Sequence, residues 1–349
     1  MIDSLVALLG IQAEDPAFWM PLVFAGLLYA VIVAGTVLDG FDIGVGCLVP
    51  FASAELRSRM LALLSPWRDA NEFWLLLGLG LFVAAFPAAW GAVMSALYVP
   101  LVLLGIGVMV RSAAFELRLR APLHLQNRWA LAFAFGSWLT AFAHGTLLGR
   151  VVVGYESGSA YFWYAGFVGL CAVAAYSLLG ATWLVMREPG EMRIRAAWWG
   201  RQSVRWAAAG SVAVSLVLAF ANTGVFLRWS DGPQWTLVVG LWVFTLACFI
   251  SIEMILHRTI LASHRLNALP FVLTLFIFLV TLGGLAYSFF PYLVLDDITI
   301  WDGAASVETL RIILVAALVS LPIALAFNIW VYWRMFGVSK APKMPRLKL

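Results

Sequence analysis

Hydrophobic residues occupy this chain in long blocks separated by short polar clusters, and the block lengths predict helices that cross a membrane. A hydrocarbon core of about 30 Å takes about 20 apolar residues in helical form. Blocks of that size stand at about 20–47, 59–87, 91–116, 128–149, 161–186, 202–227, 233–256, 267–295 and 310–336. From Phe73 to Val110, 38 residues pass without a charged side chain. As one helix that run would measure about 57 Å at 1.5 Å per residue, too long for a single crossing. Pro87, which has no amide hydrogen, and Gly91 predict the break between the second and third spans. The expectation is an all-α, polytopic integral membrane protein, one domain over residues 1–349 with nine transmembrane helices.

Composition narrows the class of partner. The chain is 63% hydrophobic and 11% charged, with a mean hydropathy of +0.95, against about 25% charged in soluble domains. In this setting a net charge of +4 reflects basic loops on one side of a membrane, so membrane lipid is expected as a partner and nucleic acid is not. Lys and Arg divide 19 to 3 between the two sets of connections that nine spans create, the three being Arg150, Arg228 and Arg311. That asymmetry places the amino terminus outside and the carboxyl tail, with Arg334, Lys340, Lys343, Arg346 and Lys348, inside. The first nineteen residues carry Asp3, Glu14 and Asp15 and no basic region, so no removable signal peptide is expected. Cys47, Cys171 and Cys248 lie in apolar runs without CxxC spacing and read as small buried hydrophobes.

Charge gathers where a membrane chain should avoid it, from Leu38 to Trp74. Asp39, Asp42, Arg68, Asp69 and Glu72 fall at the inner ends of the first two spans, and Arg111 and Glu116 at the inner end of the third. Each would cost roughly 2.5–3.5 kcal/mol unpaired at a helix centre. Asp39 and Asp42 are three residues apart, as are Asp69 and Glu72, so each pair shares a helix face. Arg111 is expected to compensate Asp42 or Asp69. Two readings stay open: a structural ion-pair cluster anchoring three helix ends, or a site of proton uptake, since carboxylates leading inward from one membrane face are what a proton relay needs. Gly40, Gly44 and Gly46 contain one GxxxG spacing, which lets a neighbouring helix approach closely.

Little else carries chemistry. His124, His257 and His264 fall in or beside inner connections, and His144 alone lies well within a span, where it reads as a structural histidine. Glu253, one turn before His257, reads as a solvated helix end. No metal-ligand spacing, phosphate loop or nucleophile–base pair is present, so no metal or haem is expected on this chain alone.

At the two opening motifs the sequence resembles subunit II of the cytochrome bd family of respiratory quinol oxidases. The family's first signature stands as DGFDIGVG from Asp39 to Gly46, and its second is matched by Asp69, Asn71, Glu72 and Trp74. The likeness continues through LFVAAFP, the Arg111–Arg118 run RSAAFELR, AYSLLGATWLVM, Thr299–Asp302 and YWRMFG, and is nearest to the cyanide-insensitive branch. The resemblance implies two four-helix bundles plus one helix in a bacterial cytoplasmic (inner) membrane. It also implies pairing with a homologously folded subunit I that carries haem b, a haem of d or b type and the quinol-oxidising loop. A structural quinone on this subunit and a small accessory subunit are compatible with it. By the same likeness Asp69 conducts protons, with Glu72, Asp42 and Asp39 as further path candidates, and Trp74 borders an oxygen route. Arg111, Arg68 and Glu116 are the charge partners, and Gly40, Gly44, Gly46 and Asn71 the structural motif.

The sequence departs from the family at Arg68, where Trp is expected and the nearest Trp is Trp67, and at Ala70, in place of Gly. His144 stands where Gln is expected. A cation beside Asp69 weighs against an easily reversible relay. The competing class is a proton- or ion-coupled transporter, which would place charge at midplane in two interrupted halves.

Overall fold

A computed structural model describes residues 12–65, 68–156, 158–261 and 266–336. Asp3, Trp67, His264, Lys340, Lys343, Arg346 and Lys348, used above, lie outside the described residues.

The chain enters its first helix, α1 (Pro16–Leu48), through Asp15, whose carboxylate accepts the Ala17 amide at 2.8 Å. Pro16 fits the first turn because the amide it lacks would have no helical acceptor there. A short 3₁₀ turn, Val49–Phe51, leads to α2 (Ala54–Leu64), which buries Leu56, Met60, Leu61 and Leu64. Next come α3 (Arg68–Ala85) and α4 (Pro87–Arg120), divided at Phe86, whose φ of −129° and ψ of 56° leave the helical region. The segment expected as one span over 59–87 is therefore two helices. The following span starts at Pro87, and Gly91 lies within α4. Proline ends one helix and opens the next, whereas an isolated glycine costs only about 1 kcal/mol within a helix and does not break it.

Five long helices follow, α5 (Leu123–Val152), α6 (Ser159–Arg187), α7 (Glu191–Ala221), then after the short α8 (Thr223–Ser230), α9 (Gly232–Leu261) and α10 (Leu269–Phe289). The acidic loop beyond α10 holds an antiparallel pair that hydropathy did not predict, β1 (Tyr292–Val294) with β2 (Ile298–Thr299), then a single turn, α11 (Ile300–Gly303). Thr299 and Asp302 form a reciprocal capping box on α11, and Trp301 donates its indole N–H to the Phe18 carbonyl at 2.9 Å, tying this loop to α1. The last helix is α12 (Val307–Phe336).

Eight helices among the described residues are long and apolar enough to cross a membrane: α1, α4, α5, α6, α7, α9, α10 and α12. α3, with 18 residues and Arg68, Asp69 and Glu72 in its opening turns, does not reach that standard. Packing sorts the long helices into two groups. α1, α3, α4 and α5 form one, and α6, α7, α9 and α10 the other. α1 and α5 join them by packing against α6, and α12 rests on α1 and α3. The groups meet where a Cβ on Gly44 of α1 would collide with the backbone of Tyr176 and Gly180 on α6, so only glycine permits this approach.

Candidate functional site

Three helix segments converge on one buried polar cluster. α1 brings Asp39 and Asp42, α3 brings Arg68, Asp69, Asn71 and Glu72, and α4 brings Arg111, Ser112 and Glu116. Arg111 reaches its place because α4 and α5 nearly touch: a Cβ on Gly136 would lie 2.6 Å from the Arg111 amide nitrogen. Its guanidinium is fully buried, and Nη2 donates to Asp39 Oδ1 at 2.6 Å and to Glu72 Oε1 at 2.9 Å.

Glu72 is the hub. Its Oε1 accepts from Arg68, Arg111 and Ser112, at 3.0, 2.9 and 3.0 Å, while among the described residues Oε2 accepts only from Ser112, at 2.9 Å. Arg68, also buried, fans out to Asp69 at 2.7 Å and Glu116 at 3.3 Å, and its guanidinium carbon lies 4.5 Å from the centroid of the Phe115 ring. Arg68 thus binds three carboxylates from within the fold, gaining ion-pair and cation–π contacts together. Asp42 is held differently: Asn71 Nδ2 donates to its Oδ2 at 2.8 Å, and Oδ1 has no hydrogen-bond partner among the described residues.

These contacts refine two expectations. Arg111 makes its direct ion pairs with Asp39 and Glu72, and it acts on Asp42 through charge without a direct contact. Asp69 and Glu72, three residues apart, part company in exposure, with Asp69 84% exposed and Glu72 18%. Both lie at the mouth of the cluster, whereas Asp39 and Arg111 each stand nine residues before the end of α1 and α4, a depth of about 14 Å. The cluster therefore runs from a water-exposed carboxylate to a wholly buried one, and it holds five carboxylates against two guanidiniums. Trp74, nearly one turn beyond Asn71, is buried, and its indole nitrogen has no hydrogen-bond partner among the described residues.

The glycine motif serves packing. Gly40 and Gly44 face Tyr176 and Gly180 of α6, and Gly46 faces Ser137 of α5. Glu253 is no solvated helix end: Arg201 donates to it through Nε at 3.0 Å and Nη2 at 2.8 Å, and Arg205 through Nη2 at 3.1 Å, clamping α9 to α7. Ser112, Phe115 and Tyr176 belong to the site or its walls; each stands in a run quoted above, but its role there was not legible because its partner, Glu72, Arg68 or Gly44, lies on another helix.

A haem does not fit the described residues of this chain. His144 Nδ1 lies 3.0 Å from the Tyr176 hydroxyl, and beside it α5 and α6 approach so closely that a Cβ on Gly145 would come within 2.7 Å of Gly169 Cα. That spacing leaves no width for a macrocycle at the one histidine well within a span.

A family model described as cytochrome bd terminal oxidase subunit II matches residues 20–335. The chain is 27% identical over 364 residues to cytochrome bd-I ubiquinol oxidase subunit 2 of Escherichia coli (strain K12), covering 89% of this chain and 93% of the relative. It is also 27% identical over 330 residues to cytochrome bd ubiquinol oxidase subunit 2 of Bacillus subtilis (strain 168), covering 88% and 93%. In fold it is similar to a chain in the structure of bd oxidase from Geobacillus thermodenitrificans, with a TM-score of 0.75 at 17% identity, over 92% of this chain and 99% of that one.

Proposed function

The chain belongs to the cytochrome bd terminal oxidase subunit II family, and from that premise we propose that it supports the haem-bearing subunit I and supplies the complex with protons through Asp69 and Glu72. It is a multi-pass membrane subunit of a quinol:oxygen oxidoreductase, and the ion-coupled transporter gives way to that membership. Haem in the partner supplies the centre where oxygen is reduced. The relatives' names specify ubiquinol, and we assign a quinol as reductant here. We also assign α3 as the ninth span, its charged first turns lying at the cytoplasmic face of a bacterial inner membrane with the amino terminus outside.

The observation that carries proton supply is a polar cluster open to water at one end, Asp69, and sealed at the other, Asp39 and Asp42. Oxygen reduction consumes protons, and a buried centre needs them delivered. Asp69 exchanges with water and collects the proton, Arg68 stays protonated and holds Asp69 and Glu72 on one guanidinium, and water at the exposed mouth carries the proton between the two carboxylates. On Glu72, Oε1 is occupied by two guanidiniums, which leaves Oε2 to receive the proton. Asp42, with one oxygen unpartnered, stands where a bridging water would continue the path, since buried polar atoms without protein partners are where water joins a network.

Asp69→Asn keeps the size and removes the titration. Oxygen consumption by the complex should fall at least about tenfold, roughly 1.4 kcal/mol on the barrier, with haem content unchanged. Loss of haem along with activity would make Asp69 structural.

A further inference from the structure

Between α9 and α10, near the Arg258 end of α9, lies a groove of about 270 Å³. One wall is Ser251, Met254, Ile255 and Arg258, whose spacing of three, four and seven residues puts them on one face of α9. The other is Leu269 and Leu273, one turn apart on α10. The groove is mostly apolar, with Ser251 at one end of its α9 wall and Arg258 at the other. From Ser251 to Arg258 it runs about 10 Å, and Arg258 lies three residues before the end of its helix, about 5 Å along the axis.

Arg258 is exposed and has no ion-pair partner among the described residues, in contrast to its neighbours. The one acid on α9, Glu253, is committed to Arg201 and Arg205 on α7. An apolar trough capped by an unmatched guanidinium near a helix end is complementary to a lipid whose chain lies along the trough and whose phosphate meets the charge. Arginine's planar fork suits phosphate oxygens. A zwitterionic headgroup offsets its own phosphate with a cation, and a neutral isoprenoid quinone gains nothing from the charge.

We propose that this groove is a binding site for an anionic phospholipid, with the acyl chain against Met254, Ile255, Leu269 and Leu273 and the phosphate on Arg258. The site is independent of the proton path and would fasten α10 to α9 on the far side from the α7 clamp.

The test uses the assembled complex in detergent with phosphatidylglycerol bearing a diazirine in its acyl chain, followed by mapping of crosslinked peptides. Labelling is expected within residues 251–258 and 269–273, competed by unlabelled phosphatidylglycerol and about fivefold more weakly by phosphatidylcholine, the discrimination one interfacial arginine provides. Arg258→Gln should lower the labelling by about the same factor. Leu273→Trp should remove it with Arg258 intact, because the indole fills the trough. Equal competition by phosphatidylcholine or by decylubiquinone overturns the proposal, as does labelling that survives both variants.

Discussion

Arg111 shows what single residues contribute. It has no exposure, and one of its terminal nitrogens holds two carboxylates from two other helices. Replacing it by Leu leaves Asp39 and Glu72 facing each other in a space that water does not reach freely. Breaking a buried pair from one side costs about 3–5 kcal/mol, a large part of the margin of a folded domain. The expected outcome is a sharp drop in the yield and thermal stability of the purified complex carrying Arg111→Leu; normal yield and melting would show that the ion pairs contribute nothing. The residue types of this cluster were legible in the sequence because charge in an apolar chain is conspicuous. The pairings were not. Spacing along one helix says which residues share a face, but the partner is set by how neighbouring helices are rotated and how deep each side chain lies. Asp69 and Glu72 share a spacing and end with 84% and 18% exposure.

At the scale of elements, apolar block length located the long helices because the membrane imposes one dimension on all of them. It merged α2 with α3, since the apolar run Met60–Leu64 and the one that starts at Phe73 were read as one block across Arg68, Asp69 and Glu72, and it gave no sign of the β1–β2 pair, whose strands are too short for a period to register. One of the tightest contacts between the two helix groups is that of Gly44 with Gly180 and the Tyr176 backbone. A methyl group there forces α1 from α6, and overpacking of this kind costs about 1–3 kcal/mol. Gly44→Ala should therefore lower the melting temperature of the complex, while Gly26→Ala, with nothing within 4 Å of its added Cβ, should leave it unchanged or slightly higher because alanine favours helix. Equal effects at the two positions would remove the close approach as the cause.

For the whole molecule, two four-helix groups and a resting α12 came from the family likeness; hydropathy yields spans without their neighbours. The basic asymmetry of 19 to 3 predicts that reporter fusions after Arg120 and after Arg228 report opposite sides, the first cytoplasmic, and agreement between them would undo the topology. The close packing around His144 predicts that the chain expressed without its partner is a membrane protein with no Soret band, and stoichiometric haem in it would overturn the division of labour between the subunits. The central claim is that protons reach the partner's haem by way of Asp69. Its most direct test is proton uptake during oxygen reduction, followed with a pH-indicating dye outside liposomes that hold the complex with Asp69 facing the dye. In Asp69→Asn, uptake should slow in step with turnover, by at least about tenfold; uptake at the unmutated rate would contradict the proton path and leave the cluster as a static anchor for α1, α3 and α4.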